Sequence, residues 1–251
     1  MYSRIPMPNI EWTEENMSYV MCFFPWIGAV IGGLTYFTYW LKEMLYEKGI
    51  CFHEFFFIAI FTLIPIWVTG GIHLDGFLDT KDALSSYQSR ERRLEILKDP
   101  HAGAFAIISG IVYFVFYLGI YSSLMKESVV VIAISFMLSR TLSGLSVVCF
   151  PQARKKGMVA DVSENTSKRR TKQVLILYVI GLGILMICVG KLIGMIVLAT
   201  AGIVFAYYYK MAMDKFGGVT GDLAGYFLQL CEISMAAAAV ISAVILKGMG
   251  I

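Results

Sequence analysis

The stretch TGGIHLDGFLDTKDALSS, Thr69 to Ser86, sets His73, Asp75, Asp79 and Asp82 at the end of an apolar run, residues 55–72, long enough to cross a bilayer. The three aspartates stand at i, i+4 and i+7. If the segment is helical, successive residues turn by about 100°, and all three carboxylates project from one face. Carboxylates that close repel one another unless a cation neutralises them. An oxygen-only set suits Mg²⁺, which takes one or two carboxylates and completes its shell with phosphate oxygens and water. The ordinary alternative is a solvated helix face carrying surface aspartates. Gly70, Gly71 and Gly76 add backbone freedom beside the cluster, and a membrane segment lies directly behind it, which favours the metal reading.

The surrounding composition supports a bilayer setting. The chain has 251 residues, of which 58% are hydrophobic and 16% charged, with a mean hydropathy of +0.70. A soluble domain carries closer to a quarter charged residues. Apolar runs cover residues 17–40, 55–72, 103–125, 174–190, 192–209 and, interrupted by Glu232, 223–246; one more, 128–152, is interrupted by Arg140. Backbone groups in lipid must bond internally, so these predict helices, and the alternating pattern of a transmembrane barrel is absent. The expected architecture is an all-α bundle of about seven spans forming a single integral membrane domain over residues 1–251. Residues 174–209 as one helix would overshoot the membrane, so they predict two spans meeting at Lys191. The N-terminal MYSRIPMPNIEWTEEN lacks a basic segment running into the first span and is not read as a signal peptide. The five cysteines show no C-x-x-C spacing and read as single thiols in or beside apolar segments.

Basic residues concentrate in cytoplasmic loops of membrane proteins. With seven spans, 15 of the 21 lysines and arginines fall on the face that holds the N-terminus, five on the other, and Arg140 within a span. The N-terminus is therefore expected in the cytoplasm. Three polar loops, 71–102, 151–173 and 210–222, then share the cytoplasmic side of the inner membrane as the catalytic loops. Such asymmetry suits an enzyme drawing on cytosolic substrates better than a transporter, which needs access from both sides.

Four further features carry chemistry. In SRERRLEILKDPHAG, Arg90, Arg92, Arg93 and Lys98 are suited to phosphate, or else form a positive-inside belt with Glu91 and Glu95 as helical partners. Asp99 offers a fourth carboxylate near the start of the next span, and His73 and His101 are proton-transfer or phosphate-donor candidates. Arg140 in mid-span costs about 2.5–3.5 kcal/mol on insertion scales, so it should face a polar cavity or an acid. It is read either as a partner of Glu232 or as a contact to substrate phosphate. Finally, KFGGVTGDLAGY places Gly217, Gly218, Thr220, Gly221 and Asp222 where a glycine turn enters a helix, a common anion site, with Asp222 also a potential N-cap. Together these features fit Mg²⁺-assisted transfer of a phosphoryl-linked group at a membrane surface.

Taken together, SRIPMP, FPWIGAVIGG, GGIHLDGFLDTKDAL, RERRLEILKDPHAGAF, the Ser139-Arg140 pair and GGVTGD followed by Glu232 resemble the cobalamin 5′-phosphate synthase family over most of the chain. The chain departs from that family's pattern at Ala83, where glycine is usual, and in ARKKGMVADVSE, where Lys156 replaces an acid while Arg154 and Gly157 match. The resemblance implies an integral membrane transferase that joins adenosylcobinamide-GDP to α-ribazole or its 5′-phosphate and releases GMP. It implies Mg²⁺ on Asp75, Asp79 and Asp82, with Asp99 as an additional ligand. Asp82, another cluster carboxylate or His73 would take the hydroxyl proton, while Lys98, Arg93 and Arg140 would neutralise phosphate charge. Gly218, Thr220, Gly221 and Asp222 would hold the diphosphate. The expected partners are those small molecules and the bilayer, with no nucleic acid; a homo-oligomer is among the open alternatives.

Three rivals fit less well. A CDP-alcohol phosphotransferase uses D-G-x-x-A-R, whereas Asp75-Gly76 is followed here by FLDT. A membrane prenyltransferase normally carries two aspartate-rich motifs, and this chain has one dense cluster. A transporter would place Arg140 and Glu232 along a pathway and is disfavoured by the loop asymmetry.

Overall fold

The computed structural model describes residues 19–154 and 167–250. Among the described residues, eight α-helices follow one another: α1 Val20–Glu47, α2 Glu54–Thr69, α3 Ile72–Ser85, α4 Arg90–Ile96, α5 Ala104–Tyr121, α6 Lys126–Cys149, α7 Lys168–Phe216 and α8 Gly221–Gly248. The readings of SRIPMP, of most of ARKKGMVADVSE, including Lys156 and Gly157, and of the N-terminus itself fall outside the described residues. Five helices are long and apolar enough to cross a membrane, or six if α2 and α3 count as one bent span. α7 is itself broken at Lys191, where φ is 48° and ψ −121°. Its halves, 168–190 and 192–216, fold back on each other: a methyl group at Gly183 would touch Leu198 at 3.4 Å. Counting both halves and the 16-residue α2 recovers the expected seven spans.

Burial sorts the helices. α6 packs most extensively on α1 and α7, and both α6 and α8 are largely enclosed; α5 and α7 turn much of their surface outward. The outward faces carry Phe23, Trp26, Trp67, Ile111, Val115, Leu177 and Ile203, all exposed. An apolar band of that extent needs lipid against it.

The polar stretch after α2 differs from the expected loop 71–102. Gly70 and Gly71 both take left-handed backbone, with φ of 69° and 82°, a conformation that costs a glycine least. They turn the chain by 95°, so that α3 leaves the line of α2 as a separate helix. Ser89 then caps α4 by accepting a hydrogen bond from the Arg92 N–H at 3.4 Å. Most of this region is helical because its apolar residues keep helical spacing: His73, Gly76, Phe77, Thr80 and Ala83 form the buried face of α3. Helix likewise extends into the other two expected loops, since α7 begins at Lys168 and runs to Phe216.

At the centre of the bundle, Arg140 is fully enclosed and Glu232 is 3% exposed. Arg140 Nη1 donates to Glu232 Oε1 at 2.5 Å and to the Phe136 carbonyl at 2.9 Å, while Ser139 Oγ donates to the same carboxylate oxygen at 2.9 Å. The ion pair thus joins α6 to α8. Of the two readings of Arg140, the structure takes the pairing one, because a wholly buried guanidinium bonded to Glu232 presents no surface to a substrate phosphate. Removing one partner of a buried pair leaves an uncompensated charge, at about 3–5 kcal/mol. Arg140→Met or Glu232→Leu alone should therefore markedly lower the thermal midpoint in detergent, whereas the double variant should recover most of the loss. A double variant no more stable than the worse single one would contradict the pairing.

Candidate functional site

The site is assembled where α3 crosses α8. A methyl group at Gly76 would lie 2.8 Å from the Asp222 carbonyl oxygen and 2.9 Å from its Cα. One at Gly225 would lie 2.9 Å from the His73 carbonyl oxygen and 3.5 Å from the Gly76 Cα. Backbone meets backbone here because neither helix carries a side chain at the crossing. That contact places the first turn of α8 beside the aspartates of α3.

The charges report the result. Burial, followed by Asp75, Asp222 and Asp82 in that order, pushes the half-buried Asp79 carboxyl up to about 6. Asp75, Asp79 and Asp82 are therefore one neighbourhood, as their spacing predicted, and Asp222 joins them from the other helix. Asp82 also lies against Gly103, the residue preceding α5, where the helix dipole favours an anion. Among the described residues, none of these four carboxylates takes part in an ion pair. Nor do any three His, Cys, Asp or Glu side chains among them converge into a group that could hold a metal by itself.

Asp99 sits apart from this neighbourhood. Its Oδ1 accepts a hydrogen bond from the His101 backbone N–H at 3.0 Å and meets His101 Nδ1 at 2.8 Å. Those two bonds hold its carboxyl below the usual range, and it is not among the charges acting on Asp79. The fourth carboxylate is thus Asp222. Thr220, rather than Asp222, is the N-cap of α8, its hydroxyl accepting from the Leu223 N–H at 3.2 Å.

His73 also leaves the aspartate face. It is 5% exposed, packs edge-on to Phe24 with ring centroids 5.9 Å apart, and its Nδ1 is buried without a hydrogen-bond partner. On a helix turning about 100° per residue, positions 73 and 79 lie on well-separated faces. A direct proton transfer between His73 and a group bound at the carboxylates has no support in this geometry.

Arginines also lie beside the glycine turn. Residues 151–153 pair with it: the Val219 N–H donates to the Pro151 carbonyl at 2.8 Å, and the Ala153 N–H to the Val219 carbonyl at 3.0 Å. Gly218 is needed for this closeness, since a methyl group there would lie 2.6 Å from the Pro151 oxygen. The Arg90 guanidinium lies against Gly217. Arg154 Nη2 donates to the Leu94 carbonyl, tying residues 151–154 to α4, and its charge acts on Asp222. Arg93, one turn beyond Arg90, is half-buried, whereas Lys98 is exposed. Of the predicted residues, then, the structure brings together Asp75, Asp79, Asp82 and Asp222, with Gly218, Thr220 and Gly221 in the adjoining turn. Asp222 as a carboxylate partner and Arg154 as a neighbouring cation were the residues missed. The sequence signal was present in Gly76, next to Asp75, and in Gly225, one helical turn after Asp222.

The raised Asp79 carboxyl sets a sign. Between about pH 4 and pH 6 the folded chain holds a proton that the unfolded chain has released, so stability falls as pH rises through that window. In a chelating buffer the thermal midpoint of the wild type should therefore decline across it, and Asp79→Asn should flatten the decline. Equal slopes for the two proteins would contradict the charge cluster.

Comparison with known proteins identifies the family. The family described as cobalamin-5-phosphate synthase matches residues 1–240. A protein of Lachnoclostridium phytofermentans named adenosylcobinamide-GDP ribazoletransferase is 47% identical over 251 residues, covering 100% of this chain and 94% of its own length. Proteins of the same name from Clostridium perfringens strain SM101 and Geobacillus thermodenitrificans are each 32% identical, over 93% and 91% of this chain and 92% and 88% of their own. No solved structure matches the chain. The chain belongs to the cobalamin-5-phosphate synthase family.

Proposed function

We propose that this chain is a membrane-embedded adenosylcobinamide-GDP ribazoletransferase, acting at the cytoplasmic face of the inner membrane. The observation that carries the reading is a group of four carboxylates, none in an ion pair among the described residues, beside a glycine turn where Arg90 lies against Gly217 and Arg154 acts on Asp222. Family membership supplies the substrate class. A ribose hydroxyl of α-ribazole, or of its 5′-phosphate, attacks the phosphorus attached to cobinamide. The bond from that phosphorus to the bridging oxygen breaks, and GMP leaves with the bridging oxygen and its electron pair. The hydroxyl proton passes to a cluster carboxylate or through it to water.

The donor set supports Mg²⁺. It is all oxygen, and it is too open to cage an ion alone, which matches an ion completed by substrate phosphate and water. Asp75, Asp79, Asp82 and Asp222 are the carboxylates available to it, of which one or two would bind it directly. When bound, it supplies charge neutralisation on the diphosphate. The chain's own contribution is placement: α3 and α8 present the carboxylates, and the turn at 217–221 brings the diphosphate to them. The Arg140–Glu232 pair takes no direct part; it fixes α6 against α8 and so keeps the crossing in register. The orientation in the membrane rests on the distribution of basic residues.

Purified protein in detergent should convert adenosylcobinamide-GDP and α-ribazole to a cobalamin and GMP only when a divalent cation is present. Asp75→Ala and Asp79→Ala should each lower turnover by about a hundredfold or more while leaving the melting profile folded. An inert wild type that instead releases CMP from a CDP-alcohol would replace this reading with the lipid one.

A further inference from the structure

The arginines of α4, α6 and the 151–154 segment differ in their surroundings. Arg92 is paired with Glu95 at 2.7 Å on the exposed side of α4. Arg140 is paired inside the bundle. Arg93 and Arg154 have no carboxylate partner among the described residues, yet both are half-buried, and in each the Nε is buried without a hydrogen-bond partner. A buried, unsatisfied guanidinium N–H costs free energy unless something supplies an acceptor. Among the described residues Arg154 donates one hydrogen bond, to the Leu94 carbonyl, which anchors its side chain; its charge acts on Asp222 without forming an ion pair with it. Its position is fixed twice over, by that bond and by the pairing of residues 151–153 with Val219. It thus stands next to the Thr220–Asp222 turn, close enough for its charge to act on Asp222.

We propose that Arg154 is a phosphate-binding residue of this site, gripping the diphosphate of the nucleotide-linked substrate beside Asp222, with Arg93 as its companion on α4. The proposal rests on the functional reading above and deepens it. A planar guanidinium presents two parallel N–H donors that match phosphate oxygens. Carboxylates and arginines at one turn would together orient a diphosphate that neither group could orient alone. Arg154 would also couple the site to α4, because the guanidinium that meets the phosphate is the one bonded to Leu94. Lys98, exposed and outside this arrangement, is then not the principal phosphate contact.

The test measures binding of GDP, inorganic pyrophosphate and guanosine, each with Mg²⁺, to the full chain in detergent by titration calorimetry. Arg154→Gln should weaken GDP and pyrophosphate by about ten- to a hundredfold and leave any guanosine binding unaltered. Arg154→Lys should recover part of the loss, since lysine restores the charge without the fork. Arg92→Gln, on the outer face of α4, should bind GDP as the wild type does. A folded Arg154→Gln protein with wild-type affinity for GDP and pyrophosphate would overturn the proposal, as would a wild type that binds neither. If Arg154→Gln unfolds, phenylglyoxal labelling of the wild type with peptide mapping decides. Protection of Arg154 by Mg²⁺-pyrophosphate supports the assignment, and undiminished labelling overturns it. Normal turnover by a variant with unaltered binding removes this inference alone, whereas Arg154-dependent binding without wild-type turnover removes the assigned reaction and leaves the phosphate site.

Discussion

The contact on which the site depends is the crossing of α3 and α8 at Gly76 and Gly225, where the two backbones touch. Any larger residue at either position would meet backbone atoms within about 3 Å, closer than van der Waals contact allows. This is the familiar use of small residues at helix interfaces in a membrane, where close packing must replace the hydrophobic drive available in water. Its local effect is electrostatic: it brings Asp222 within reach of three aspartates that already repel one another. Among the described residues the fold holds those charges together without an ion pair, with the charge of Arg154 acting on Asp222, which is an unfavourable arrangement for a bare protein and a useful one for a cation-dependent site.

Two other features keep the crossing where it is. Gly70 and Gly71 bend the chain by 95°, so that α3 can leave the direction of its span and lie across α8. The Arg140–Glu232 pair ties α8 to α6, the most enclosed helix. A buried pair of this kind contributes little net stability against an apolar substitute, but it penalises any arrangement that separates its partners. Register between α6 and α8 is therefore specified by charge, and the position of the first turn of α8 follows from it.

Much of this was legible in the sequence, and the reasons differ by element. Spans could be counted because lipid demands continuous apolar helices, and the break at Lys191 followed from length alone. The shared face of Asp75, Asp79 and Asp82 followed from helical periodicity. Arg140 announced a partner through its cost in mid-span, and Glu232 was the acid available. What could not be read is what depends on contacts between distant segments. Asp222 joins the cluster only through the glycine crossing, and Arg154 reaches the turn only through pairing with Val219. Local arguments erred where two roles shared a neighbourhood. Asp99 looked like a fourth ligand from its place in the chain, but a two-residue hydrogen-bonded turn with His101 claims it. His73 looked adjacent to the aspartates, but helical rotation carries it to the buried face.

The central claim is that carboxylates from α3 and α8 act as one site. It is tested most directly by turnover in a double-mutant cycle of Asp79→Asn and Asp222→Asn, with each protein shown to be folded. If the two belong to one site, Asp222→Asn should be impaired about as deeply as Asp79→Asn, and the double variant should be little worse than either. Wild-type turnover by Asp222→Asn, or losses that simply multiply in the double variant, would contradict it.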